Sequence, residues 1–276
     1  MSAAEVDPAA PVGVFDSGVG GLSILHGIRQ LLPAERLLYV ADSAHAPYGP
    51  KGDDFIRARC RHIVEHLLAQ GVKAVVVACN TATAAAVLDL RQHYALPIVA
   101  IEPALKPAAA QSRSGVVGVL ATSGTIASDR FLHLQGRFAQ HVQVLTRACS
   151  GLVEVIEQPE PSPAALDTLL HDFIDPLVAR GADTLVLGCT HYSLVRAQIQ
   201  GVAGPAVEVV DTGSAVAREL QRRLQLAGLL HPGERHRDGQ DRESAVVDIL
   251  TSGVPEQQRQ VLARYWTGPF TVQCLP

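Results

Sequence analysis

Short runs rich in β-branched residues alternate with longer amphipathic stretches along most of this chain. This alternation is typical of α/β architecture, in which parallel strands are buried between layers of helices. We predict strands at residues 12–15, 37–40, 74–77, 98–101, 116–120, 142–145, 184–187 and 207–210. We predict helices at residues 55–70, 83–94, 128–140 and 163–180. Residues 232–243 are charged and nearly without apolar side chains, which indicates an exposed segment before a last helix that ends near Tyr265.

The chain also resembles itself. Residues 68–81 align without a gap on residues 178–191, and each copy runs from a helix end through a glycine and a strand to a cysteine. Residues 12–18 similarly resemble residues 117–124. A repeat of this length indicates duplicated domains rather than a solenoid. We therefore predict two similar α/β domains, related by pseudo-symmetry, with parallel-type sheets flanked by helices and an active site in the interdomain cleft. Their predicted boundaries are 1–102 with 213–276, which carry Asp16 and Cys79, and 103–212, which carry Thr122 and Cys189.

Four side chains fall at the carboxyl ends of predicted strands, namely Asp16, Cys79, Thr122 and Cys189. Ligands of open parallel sheets bind at these ends, so two facing domains would place the two thiols on opposite walls of one cleft. A helix is predicted after each cysteine, and a helix N-terminus can lower the pKa of a thiol from about 8.5 toward 7. Each of these two cysteines is therefore a candidate acid–base group.

The two cysteines also have other interpretations. A cysteine after a strand can be a small core residue, which is how we interpret Cys60, Cys149 and Cys274. The glycines that follow Asp16 indicate a tight turn, because an aspartate at the mouth of a phosphate-binding loop would repel the phosphate. A zinc site is chemically reasonable, although no standard zinc motif matches the spacing of its candidate ligands Cys79, Cys189, His191 and Asp16.

Composition narrows the classes of function. The net charge of -4 argues against a surface for nucleic acid or anionic membrane. No apolar run approaches the roughly 18 residues of a membrane helix. The five cysteines form no C-x-x-C pair, so we predict a reducing, cytoplasmic location without structural disulfides.

Two opposed thiols suit the inversion of a stereocentre, in which one base removes a proton and its partner donates one. None of the three lysines lies in a recognisable pyridoxal phosphate context, which favours a reaction without cofactor.

Five ordered motifs resemble the bacterial glutamate racemases, members of the cofactor-independent aspartate/glutamate racemase family. They are FDSGVGGLSIL at 15–25, PYGPKG at 47–52, ACNTATA at 78–84, LATSGTI at 120–126 and LGCTHYSLV at 187–195. The resemblance runs from about residue 11 to residue 212 and continues in TSG at 251–253. It implies a two-domain enzyme, commonly a dimer, that interconverts L- and D-glutamate without cofactor and supplies D-glutamate for peptidoglycan.

The resemblance also implies roles for individual residues. Cys79 matches the base that acts on D-glutamate, and Cys189 matches the base that acts on L-glutamate. Asp16 and His191 match groups that assist these thiols. Glu154 matches a further catalytic glutamate of the family, although residues 148–154 are shorter than the corresponding family segment. The alternative is that Glu154 is an ordinary surface residue. The matches to residues that hold the substrate are Asp16, Ser17, Tyr48, Gly49, Asn80, Thr81, Thr122, Thr125, Thr190 and His191.

Two other functions fit part of the pattern. A racemase for aspartate or another acidic amino acid would carry the same paired thiols. A two-domain binding module for acidic ligands would share the architecture but would not need the thiols. The resemblance favours a glutamate racemase that forms a homodimer, and the net charge and apolar runs predict that it requires no nucleic acid and no membrane.

Overall fold

Two parallel sheets flanked by helices form the protein in a computed structural model that describes residues 6–138, 140–234 and 246–276. Within these residues the first sheet has six strands: β1 (Val12–Asp16), β2 (Leu37–Ala41), β3 (Ala74–Val77), β4 (Ile98–Ala100), β9 (Val247–Thr251) and β10 (Phe270–Cys274). They pair in parallel in the order β10-β9-β2-β1-β3-β4. The second sheet has four: β5 (Val116–Ala121), β6 (Gln143–Ala148), β7 (Thr184–Leu187) and β8 (Glu208–Val210). They pair in parallel in the order β6-β5-β7-β8.

Helices connect the strands and cover the sheets. Those around the first sheet are α1 (Leu22–Leu31), α2 (Asp53–Ala69), α3 (Asn80–His93), α11 (Gly213–Leu226) and α12 (Pro255–Tyr265). In the sequence, α4 (Leu105–Gln111) lies between β4 of the first sheet and β5 of the second. The others are α5 (Ser123–Ala127), α6 (Asp129–Gly136), α7 (Leu152–Ile156), α8 (Pro163–Ala179), α9 (Thr190–Leu194) and α10 (Arg196–Ala203).

The central strands are buried on both faces. Along β1, Val14 packs into one hydrophobic layer and its neighbour Phe15 packs into another on the opposite face. In β5, Val119 and Leu120 divide between two layers in the same way. Strands covered on both faces appear in a sequence as continuous apolar runs rather than as alternating patterns. For this reason the central strands could be found in the sequence.

The two sheets repeat one strand order. In the first sheet, β2-β1-β3-β4 are neighbours, and in the second the corresponding order is β6-β5-β7-β8. The internal sequence similarity follows the same correspondence, since it relates β1 to β5 and β3 to β7. β9 and β10 extend only the first sheet.

The predicted fold class is confirmed. All eight predicted strands are present, with ends that differ by at most three residues, and the last helix ends at Tyr265 as expected. The sequence did not reveal β9 and β10. In β9 the exposed Asp248 separates buried Val247 and Ile249, so the strand lacks the continuous apolar run of the central strands. Residues 235–243 of the predicted exposed segment lie outside the described residues, and the domain boundaries stay a prediction.

A buried ion pair lies at the amino ends of the first sheet's strands. Lys73 Nζ is 2.5 Å from Glu35 Oε2, and both side chains are 0% exposed. Glu35 Oε1 also accepts the His231 backbone N–H at 2.8 Å. We expect Lys73→Met to lower the free energy of unfolding by about 3–5 kcal/mol, because it leaves a buried carboxylate without its partner. Denaturant unfolding measures this loss, and the double variant Lys73→Met/Glu35→Leu should recover most of it. A single variant as stable as the native chain would contradict the expectation.

Candidate active site

The carboxyl ends of the two sheets face each other. Asp16 ends β1, and its Oδ2 accepts the Thr190 hydroxyl of α9 at 2.9 Å. On the neighbouring strands, the Thr81 and Thr122 hydroxyl oxygens lie 3.0 Å apart. Side chains from the ends of β1 and β3 therefore touch side chains from the ends of β5 and β7. These contacts lie where the sequence predicts the cleft.

Cys79 forms the wall contributed by the first sheet. It caps the N-terminus of α3, and its sulfur accepts the Ala82 N–H at 3.4 Å and donates to Ser17 Oγ at 3.8 Å. The thiol was expected to have a lowered pKa, but burial raises the pKa of Cys79 to about 12, and the negative charge of Asp16 adds to the rise. The Ala82 N–H only partly offsets these effects. Cys79 is therefore a protonated thiol at neutral pH.

Cys189 forms the opposite wall, with a histidine beside it. Its sulfur is 3.9 Å from His191 Nδ1, and His191 Nε2 is 2.7 Å from Glu157 Oε1. Burial alone would lower the pKa of His191, but the bonds to Cys189 and Glu157 and the charge of Asp16 raise it well above its usual value. The raised pKa favours the protonated imidazole at His191, so a buried cation lies beside the Cys189 sulfur.

Glu157 was missed in the sequence. The carboxylate that bonds to His191 is Glu157, whereas the catalytic glutamate predicted from the resemblance was Glu154. Glu154 is exposed and makes no hydrogen bond to the described residues. The signal lay in the helical period of α7: Glu157 follows buried Val153 by four residues and so shares its face, whereas Glu154 does not.

The backbone of the glycine-rich turn after Asp16 packs against His191 and its partner Glu157. The Val19 N–H donates to Glu157 Oε1 at 2.7 Å, which joins the first sheet's side of the cleft to the second's. A Cβ at Gly18 would collide with Glu157, and a Cβ at Gly20 would collide with His191. The turn needs glycine for this close approach. Asp16 itself accepts the Gly18 N–H at 2.8 Å, and burial raises its pKa above the usual value.

The Asn80 amide and three threonine hydroxyls make up the polar remainder of the site. Both amide atoms of Asn80 are buried and have no hydrogen-bond partner among the described residues. The Thr122 and Thr125 hydroxyl oxygens are 3.0 Å apart, and Thr81 bonds to both, so these three hydroxyls bond mainly to one another. A ligand carboxylate can accept bonds from such hydroxyl and amide groups without an arginine.

Tyr48 has a different environment from the one that the sequence indicated. Its ring is 1% exposed, and its hydroxyl donates to Asp42 Oδ2 at 2.5 Å. Gly49 lies against Thr122, since a Cβ at Gly49 would be 3.0 Å from the Thr122 Cβ. The Tyr48 side chain therefore supports the site from behind, and the backbone of residues 48 and 49 faces the cleft.

Over residues 6–138, 140–234 and 246–276, no three or more His, Cys, Asp or Glu side chains are grouped as a metal site. Over the same residues, no helix is both long and apolar enough to span a membrane.

Comparison with known proteins gives the family. Residues 12–220 match the family model for Asp/Glu/Hydantoin racemase. A glutamate racemase of Pseudomonas putida is 52% identical over 266 residues, which cover 96% of this chain and 97% of that protein. Among solved structures, a glutamate racemase isoform from Bacillus anthracis superposes with a TM-score of 0.83 at 30% identity, covering 97% of both chains. Escherichia coli glutamate racemase, solved with L-glutamate and the activator UDP-MurNAc-Ala, superposes with a TM-score of 0.78 at 33% identity. The match covers 96% of this chain and 98% of that one. With its paired strand-end cysteines and these matches over nearly its whole length, the chain belongs to the Asp/Glu/Hydantoin racemase family.

Proposed function

We propose that this protein interconverts L- and D-glutamate by moving the α-proton between the substrate and two thiols, Cys79 and Cys189, without a cofactor. The observation that carries the proposal is that each thiol ends a strand of a different sheet on its own side of one cleft. The choice of glutamate rests on the names of the relatives, which are about 50% identical over nearly the full chain.

The environments of the two thiols suit opposite roles at the start of a turnover. Cys189 has the protonated imidazole of His191 beside it, and by its resemblance to the family it is the base for L-glutamate. Cys79 is a protonated thiol and donates its proton to the other face of the α-carbon. In the reverse direction Cys79 must be the base, and the ammonium group of bound D-glutamate, lying near Asp16, would favour its thiolate.

The polar groups of the cleft match a dicarboxylate with one ammonium group. Asp16 is the buried carboxylate that can face the ammonium. Asn80, Ser17 and the threonine hydroxyls can bind the two carboxylates. Because Thr81 and Thr122 belong to opposite sides of the cleft, a carboxylate bound between them would hold the two sides together.

The decisive experiment is incubation of the purified protein with L-glutamate, without added pyridoxal phosphate or metal, followed by chiral chromatography. We expect an equal mixture of both enantiomers, unaffected by a chelator or a carbonyl reagent, and much slower turnover of L-aspartate. Faster turnover of aspartate would favour the aspartate racemase alternative. Loss of activity on chelation that zinc restores would favour the metal alternative. Binding of glutamate without turnover would favour the binding module.

We also propose that the protein acts in the cytoplasm as a homodimer and supplies D-glutamate for peptidoglycan. The resemblance of five ordered motifs to glutamate racemases supports these three statements. Light scattering on the purified protein tests the dimer, and depletion in a bacterial host with D-glutamate rescue tests the supply role.

The raised pKa of Cys79 predicts how it reacts with alkylating reagents. Since the thiolate is the reactive form, modification of Cys79 by iodoacetamide should increase about tenfold per pH unit from about pH 7 to about pH 9. Asp16→Asn should speed this modification at each pH, because the charge of Asp16 contributes to the raised pKa. Mass spectrometry of the modified peptides measures the rates. Cys274 is the reference for reagent activity, because it is exposed and not the core residue that the sequence indicated. A Cys79 rate that stays constant over this range would contradict the expectation.

A further inference from the structure

A fully buried carboxylate lies directly behind the cleft. Asp42 follows β2 and is 0% exposed. Its Oδ1 accepts from His45 Nδ1 at 2.9 Å and from Arg59 Nη2 at 2.8 Å. Its Oδ2 accepts from Arg59 Nε at 3.0 Å in addition to the Tyr48 hydroxyl. The backbone N–H of Asp42 donates to Asp16 O at 3.0 Å, which ties this carboxylate to the end of β1.

The charge of Asp42 is stable at neutral pH. Burial would raise its pKa, but the bonds from Arg59, Tyr48, Ser252 and His45 lower it to about 2. Hydrogen bonds to an ionised acceptor are roughly twice as strong as neutral ones, and a bidentate arginine adds geometric precision. Asp42 is therefore a rigid anchor rather than a group that exchanges protons in the reaction.

The segment that Asp42 anchors crosses to the other side of the cleft. Tyr48 is held through its hydroxyl, and the next residue, Gly49, packs against Thr122. A Cβ at Gly124 would lie only 2.7 Å from the carbonyl oxygen of Gly49. Backbone from the first sheet's side thus lies directly against α5, with no side chain between. A small displacement of Tyr48 would move Gly49 away from Thr122 and widen the site.

We propose that Asp42 is a positioning residue for glutamate binding, which it serves by fixing Tyr48 and hence the Gly49 backbone against Thr122. The inference rests on the proposed racemase function and concerns the same site. Asp42 acts through Tyr48 and need not touch the substrate or the reacting atoms.

The test is a comparison of KM with kcat in Asp42→Asn. Asparagine has nearly the same volume as aspartate but no charge. Its amide NH2 would also face the donor groups of Arg59, Tyr48 and His45, to which it cannot bond. We expect KM for glutamate to rise about tenfold or more, the effect of losing a bond to a charged acceptor. The value of kcat should stay within about threefold of the native one, because both thiols and His191 keep their partners.

Asp183 provides the matched control. It also accepts several bonds, from Ser112 Oγ and from the backbone N–H groups of Arg113 and Ser114, each at 2.7 Å, and these bonds likewise lower its pKa to about 2. It lies at the amino end of β7, at the end of the sheet opposite to the cleft. Asp183→Asn should lower the thermal midpoint as Asp42→Asn does, while leaving KM and kcat unchanged.

Tyr48→Phe isolates the link between the two residues. Removal of this one hydroxyl should raise KM several-fold with little loss of thermal stability. In the double variant Asp42→Asn/Tyr48→Phe the two effects should not add, because both break the same connection. If Asp42→Asn does not fold, Tyr48→Phe alone decides.

Three results would overturn the inference: a native KM in folded Asp42→Asn, equal changes of KM in Asp42→Asn and Asp183→Asn, or a native KM in Tyr48→Phe. Absence of glutamate racemisation in the native protein is a different outcome, because it contradicts the proposed function itself.

Discussion

Replacement of either Cys79 or Cys189 by serine is expected to lower the rate of glutamate racemisation by at least about 10⁴-fold, the upper end of what a positioned acid–base group contributes. Each direction of the reaction needs one sulfur as base and the other as acid, and a serine hydroxyl is a much weaker acid than a thiol. Removal of one sulfur therefore stops both directions. Chiral chromatography measures the rate, and circular dichroism checks the fold of each variant.

Solvent exchange then assigns each thiol to its enantiomer. In heavy water, Cys79→Ser retains the base for L-glutamate, so it should exchange the α-proton of the L-enantiomer without inverting it. Cys189→Ser should do the same for D-glutamate only. Proton magnetic resonance follows the loss of the α-proton signal. The opposite pattern would reverse the assignment, and near-native inversion by either folded variant would rule out the two-thiol mechanism.

Cys149→Ser is the matched control for Cys189→Ser. Cys149 is 3% exposed, and its thiol donates to Arg147 O at 3.5 Å, a bond that a serine hydroxyl can also make. We expect it to racemise glutamate at close to the native rate. A large loss in this variant would mean that any cysteine replacement in the second sheet's core disturbs the site.

The second large effect on the rate of racemisation is expected from His191 and Asp16, which lie beside the thiols. Replacement of His191 or Asp16 by asparagine is expected to lower kcat/KM by about 10²- to 10⁴-fold. His191→Asn removes the cation that lies beside the Cys189 sulfur. Asp16→Asn removes the carboxylate that bonds to Thr190 and that can face the substrate ammonium.

Because the two enantiomers have equal free energies, a difference between the two directions can appear in kcat but not in kcat/KM. Because the equilibrium constant of racemisation is one, kcat/KM must be the same in both directions for every variant. The individual values of kcat need not be equal. We expect His191→Asn to lower kcat more for L-glutamate and Asp16→Asn to lower it more for D-glutamate, as complete rate curves in each direction would measure.

The control for the histidine variant is His171→Asn. His171 Nδ1 is 3.0 Å from Asp175 Oδ2, so it has the same kind of carboxylate partner as His191, but on the exposed face of α8. This variant should keep native rates in both directions. Native rates in His191→Asn or Asp16→Asn would remove that residue from the mechanism.

The sequence predicted those parts of the molecule that follow from short-range patterns. Strands such as β3 and β7 are buried on both faces and appear as uninterrupted apolar runs, and their ends carry Cys79 and Cys189. The edge strand β10 was not found, since Thr271 and Gln273 interrupt its apolar residues. The pairing of β9 with β2 joins residues about 200 positions apart, and no local pattern reports such a contact.

Within the site, residue types were easier to predict than their energies. A helix N-terminus was expected to lower the pKa of Cys79, but the depth of burial that reverses this effect depends on the complete packing around the sulfur. The helical period places Glu157 on the same face as Val153, but its bond to His191 became visible only in the structure. Tyr48 was assigned to the substrate by resemblance, and its bond to Asp42 became visible only in three dimensions.

The repeated order β2-β1-β3-β4 and β6-β5-β7-β8 means that each half of the molecule brings one thiol to the cleft. A half by itself would hold one base on one face of a bound amino acid. It could remove a proton and return one to the same face, so the substrate would exchange hydrogen with water and keep its handedness. Only a second copy, turned to face the first, reaches the opposite face. Under the proposed two-thiol mechanism, inversion is a property of the pair of halves, and the second strand-end cysteine turns an exchange site into a site that changes chirality.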